Sequence, residues 1–150
     1  MTRCGILSTV ASLYDPLGFV APFVLSGKQI LQDMCRQGTC WDEPLKEELC
    51  PRWECWTEDL ANLEKLTIPR CYHPPGFGEI LKVELHHFSD ASTTGSGQCS
   101  YRRLENKGGV VYCSLVMGKS WVAPTKVTTI PRLELSAAVV SVKASNMLRE

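Results

Sequence analysis

Several things are missing from this sequence, and each absence narrows what it can be. Sixteen lysines and arginines face sixteen aspartates and glutamates, so the formal net charge is zero. No global basic field advertises nucleic acid as a partner, which argues against a free-standing binder that relies on charge. No apolar run approaches the roughly 20 residues needed to span a bilayer, so no membrane partner is expected. The opening "MTRCGILSTV" lacks the apolar core and cleavage site of an export signal. The expected location is therefore intracellular, cytoplasmic or nuclear. No internal repeat or low-complexity tract appears, and 150 residues with 44% hydrophobic content suit one ordinary globular domain or two small ones.

Cysteine, by contrast, is plentiful, with eight at positions 4, 35, 40, 50, 55, 71, 99 and 113. Without an export signal a disulfide framework is not expected. The pairs Cys35/Cys40 and Cys50/Cys55 invite a zinc reading, yet zinc pairs are usually spaced more tightly on a turn. Cys50 and Cys55 fall in an expected helix, where their offset does not face one point. Free thiols are the expectation.

Periodicity divides the chain. Residues 22–37 place Phe23, Gly27, Ile30, Leu31 and Met34 at helical spacing, with Pro22 suited to the start and Gly38 to the stop. Leu45, Leu49, Trp53, Trp56, Leu60 and Leu63 form a second stripe, which Pro51 divides. Trp41, Trp53 and Trp56 are expected to pack in the core. "IPRCYHPPGFGE", Ile68 to Glu79, reads as a boundary loop.

Beyond it "KVELHHF", "QCSYRRL" and "GVVYCSLVMG" alternate or run β-branched, and "ENKGG" has hairpin-turn composition. Three consecutive antiparallel strands near 81–90, 97–105 and 109–118 follow, then a helix from about 131 in "TTIPRLELSAAVVSVKASNMLRE". Its expected buried face is Leu133, Ala137, Val140, Ala144 and Met147. The fold class is α+β or α/β.

Two acids stand out. Asp90 ends the first strand in "ELHHFSDASTTGSG", and Glu134 is the only acidic residue between Glu105 and Glu150. Asp90 suits a turn, and Glu134 suits the positive end of a helix dipole. They equally suit a divalent-metal site, because Mg²⁺ takes carboxylate oxygens and a metal pair can drive phosphodiester cleavage.

At these residues the sequence resembles a known family. "ELHHFSDAS", "CSLVMGK", "VAPTKVTTIPRLELSAAV", "ILSTVASLYDPLGFVAP", "GKQILQD" and "WDEPL" resemble the Pol polyprotein of BEL/Pao-type LTR retrotransposons, in order and over nearly the whole chain. The resemblance implies a helical reverse-transcriptase connection over 1–78. It implies the N-terminal part of a ribonuclease H-like domain over 79–150, truncated to three antiparallel strands and one helix. It implies that Asp90 and Glu134 are catalytic and metal-binding, with Mg²⁺ or Mn²⁺ as cofactor in the intact domain and weak or no binding in the fragment. The implied partners are an RNA–DNA hybrid and the remaining Pol domains, with Lys119, Lys126, Arg102, Arg103 and Arg132 as candidate phosphate contacts.

Two positions depart from the family pattern: Ser96 stands where an aromatic residue is common, and Trp121 where a basic one is. Further carboxylates of such a site would come from a later strand and helix. A non-catalytic remnant or adopted interaction module is the alternative. An aspartic peptidase would need an Asp-Thr/Ser-Gly triplet, and the sequence contains none.

The thiol expectation is directly checkable. Under native, non-oxidising conditions all eight cysteines should titrate as free thiols, and no stoichiometric zinc should copurify. Fewer reactive thiols, or zinc that a chelator removes with loss of helical signal, would show the reading to be wrong.

Overall fold

The computed structural model describes residues 1–69 and 71–149. Its first helix begins where a side chain can close it: the Thr2 hydroxyl accepts from the Gly5 amide at 3.2 Å, and α1 follows over Arg3–Ala11. α2 spans Ala21–Arg36 with proline in its first turn, and Gly38 leaves it at φ 69°. A 3-10 turn at Glu47–Leu49 leads into α3, Cys50–Leu60. Pro51 opens α3, where its missing N–H costs nothing.

These helices belong to one compact unit, made of Met1–Pro16, Val20–Ile68 and Pro124–Val127. Its core is Ile6, Val10, Ile30, Met34, Leu49, Trp53 and Trp56. Gly27 matters here for its size. A β-carbon at that position would lie 2.8 Å from Val10 and 3.0 Å from the Trp56 ring, so any side chain would wedge α2 off its neighbours. Trp56 stacks between Phe23 and Trp53, with ring centroids at 4.7 and 5.1 Å, and its Nε1–H donates to the Phe23 carbonyl at 3.0 Å. Trp41 does not join this core. It sits in the turn after α2, off the helical stripe and 52% exposed, with the Arg3 guanidinium 4.1 Å above its ring.

The second unit comprises Leu17–Phe19, Pro69–Ala123 and Thr128–Glu150. β1 (Ile80–Ala91), β2 (Gly95–Asn106) and β3 (Val111–Val122) form an antiparallel sheet in the order β1-β2-β3. α4, Ile130–Met147, follows and packs on β1 and β2. Helices, three antiparallel strands and a closing helix make the expected α+β arrangement.

One face of the sheet carries the unit's core. Ala91, Gln98, Ser100, Leu104 and Met117 are buried. The register shift opposite Ser100/Tyr101 puts an extra residue into β3, which brings Met117 onto this face. Phe77 covers the Leu104 end and meets Tyr112 edge-on at 6.2 Å. The helix is seated by Leu133, Ala137, Ser141 and Ala144. Val140 is only half-buried and Met147 is 53% exposed, so the contact stripe runs through Ser141, one position away from the expected valine.

Leu17–Phe19 docks on β3, with the Gly118 amide donating to the Leu17 carbonyl at 2.7 Å. Gly18 has φ 74°, and a β-carbon there would lie 1.7 Å from the Gly118 carbonyl oxygen. Gly18→Ala should therefore cost more than the left-handed backbone alone, about 2–3 kcal/mol when the lost hydrogen bond is added. Gly76→Ala has a similar φ of 75° but open space, and should cost only about 1–2 kcal/mol. Denaturant unfolding of both variants checks the difference. Equal costs would mean that the contact with Gly118 contributes nothing.

Candidate functional site

Asp90 is the last residue but one of β1 and pairs with Gly97 on β2. Its neighbour Ala91 is buried against Leu133 and Ala137 of α4. Glu134 follows Leu133 directly, near the helix start fixed by the first-turn proline. The packing thus brings the two backbone positions to the flanks of one contact between a strand and a helix.

The carboxylates themselves are exposed. Alternation turns Asp90 away from the face that Ala91 presents to α4. Glu134 lies about 100° around the helix from buried Leu133. Oxygen donors of this kind suit Mg²⁺ or Mn²⁺. Among the described residues, however, no group of three or more His, Cys, Asp or Glu is placed to hold a metal. The donor set fits a hard cation in kind and falls short in number.

The comparison with protein families gives this geometry its context. The family model for the Pao retrotransposon-like RNaseH-like domain matches residues 2–150. This chain belongs to that family. The match runs through both compact units and establishes a Pao/BEL retrotransposon Pol region. No curated protein and no solved structure matches the chain. Among the described residues, no helix is long and apolar enough to cross a membrane.

In this Pao-type chain the candidate phosphate contacts stand in different surroundings. Arg103 is held by Glu84 at 2.7 Å and Glu105 at 3.2 Å. Lys82 adds a 2.8 Å bridge to Glu84, and Lys82 first, then Arg103, hold the Glu84 carboxyl below the usual range. Arg102 lies over the Tyr72 ring at 5.5 Å. Lys119 and Arg132 are exposed, and Lys126 falls in the Pro124–Val127 segment of the helical unit.

Sequence reasoning overlooked a polar cluster on the buried face: His87, Gln98 and Ser100. Its signal was available, because polar residues at alternate positions of β1 and β2 share a face with buried Ala91.

If small side chains set the approach of α4 to β1, enlarging one must disturb it. Ala91→Leu should cost about 1–3 kcal/mol by overpacking and should loosen α4 first. Amide exchange resolved by segment reads both effects. A variant as stable as the parent, with α4 equally protected, would show that the Ala91 contact is slack.

Proposed function

We propose that this chain links reverse transcriptase to ribonuclease H within a Pao-type Pol polyprotein and contributes Asp90 and Glu134 to a divalent-metal site. The substrate is the RNA strand of an RNA–DNA hybrid. The observation that carries the reading is the packing of Ala91 against Leu133 and Ala137, which fixes the backbones of both acids beside one contact. A shared metal requires the Asp90 side chain, which alternation turns to the other face, to reach round the end of β1. A bound metal pair would activate water and steady the leaving oxygen. Asp90 and Glu134 would hold it from the strand and the helix, and further ligands would come from other Pol segments. Recognition of the hybrid by phosphate and sugar contacts makes binding salt-sensitive.

The incomplete ligand set supports a second reading, a non-catalytic remnant or interaction module, for the 150 residues by themselves. A peptidase finds no support in a sequence without an Asp-Thr/Ser-Gly triplet.

Calorimetry and cleavage assays separate these readings. Residues 1–150 should bind Mg²⁺ or Mn²⁺ weakly and leave a labelled RNA–DNA hybrid uncut. Joined to the remaining ribonuclease H segment of a Pao-type Pol, the chain should cut the hybrid. Asp90→Asn or Glu134→Gln should then lower the rate by at least about 100-fold, the scale of a lost charge-stabilising group. Full activity in both variants would remove these residues from the site. Hydrolysis by residues 1–150 alone, lost in Asp90→Asn, would show that no further ligand is needed.

A further inference from the structure

Beneath α4 the sheet is polar where a core is usually apolar. His87 and Ser100 are cross-strand partners, with Nδ1 and Oγ 2.8 Å apart. Gln98 Nε2 donates to the same Ser100 oxygen at 2.6 Å. Ser100 is fully buried and Gln98 nearly so. The helix buries Ser141 and Ala144, small residues that keep it close to the sheet. His87 Nε2 and Gln98 Oε1 are buried without a hydrogen-bond partner among the described residues.

Either neutral tautomer can make the His87–Ser100 bond, and the one with the proton on Nε2 gives the buried hydroxyl both a donor and an acceptor. Ser100 Oγ already accepts from Gln98, and donating its own proton to His87 Nδ1 gives that buried hydroxyl an acceptor. The ring proton then sits on Nε2. A second proton would occupy Nδ1 and remove the acceptor that Ser100 uses. Arg149 beyond the end of α4 and His86 beside His87 on β1 are the charges that act on the ring. β2 supplies neutral Gln98 and Ser100, with Arg102 one pair further along on the same face.

We propose that His87 is a proton-sensitive latch for α4. Neutral, it completes the Ser100–Gln98 network under the helix. Protonated, it leaves the buried Ser100 hydroxyl without an acceptor, adds a charge under the helix and releases the helix from the sheet. The latch does not depend on metal binding, although the helix that it holds carries Glu134.

Burial first, then Arg149 and His86, hold the imidazole below its ordinary range. The released state therefore binds a proton more readily than the docked state. Docking is at full strength above the free-histidine value of about 6.5 and weakens as pH falls from there through the lowered value.

Amide exchange of the full chain at about pH 7.5 and about pH 5.5, corrected for intrinsic rates, tests this across the range where histidine changes charge. The α4 amides should lose protection at the lower pH, while those of α1–α3 keep theirs. His87→Gln, which cannot gain the charge, should abolish the difference. An equal loss in His87→Gln would overturn the proposal. So would an imidazole titration by NMR that places the His87 midpoint at or above about 6.5. If His87→Gln does not fold, the wild-type titration decides alone: a depressed midpoint moving with the α4 signals supports the latch.

Discussion

The second unit depends on how closely α4 can lie on β1 and β2. Ala91, Ala137, Ser141 and Ala144 set that distance, and Leu133 is the one large side chain in the helix's buried stripe. Small residues permit close approach but bury little apolar surface, so each contributes only a fraction of what a leucine would. The helix consequently rests on shape and on a partly satisfied polar network more than on hydrophobic area. Such an arrangement is sensitive to single atoms. A network that loses one partner leaves a buried group unsatisfied, which costs more than the bond was worth.

The helical unit is stabilised in the opposite way. Trp53, Trp56 and Phe23 supply large stacked surfaces, and the absence of a side chain at Gly27 lets them meet Val10. The indole N–H on the Phe23 carbonyl fixes the orientation of the stack. Here one glycine makes room for aromatic bulk, whereas in the sheet unit small residues on the helix make room for the backbone of a strand. Both are close-packing solutions, and both make a methyl group at the wrong position expensive.

Much of this fold was legible in the residues. The period-2 runs placed the strands near 81–90, 97–105 and 109–118, against observed spans of Ile80–Ala91, Gly95–Asn106 and Val111–Val122. The ends shifted because ladder pairing continues into polar residues whose alternation is weak. Trp41 was misplaced because residue type alone cannot show that a tryptophan sits in a turn under an arginine. Val140 was preferred to Ser141 because α4 is apolar around much of its circumference, with Leu135, Val139 and Val142 all exposed, so hydrophobicity could not single out one stripe. The residue buried in that stripe is a serine, and the sheet face on which α4 packs carries the polar residues His87, Gln98 and Ser100. Those residues lie on β1 and β2, far from α4 in sequence. Asp90 and Glu134 became candidates by position and spacing, but the resemblance gave them a role. What the structure adds is the shared contact at their neighbours.

That contact bears on why exposed carboxylates would suit the proposed metal role. A carboxylate buried under α4 would pay for desolvation and would favour the neutral, protonated form, which is a poor ligand. Asp90 and Glu134 are exposed and avoid that penalty. Their backbones are meanwhile fixed by residues one position away. Glu84 illustrates the alternative on the same strand. Lys82 and Arg103 already hold its charge, so a cation arriving there would have to displace two existing partners. Of the acids on β1, Asp90 is the one outside this salt-bridge network, and it is also the one beside the anchored alanine.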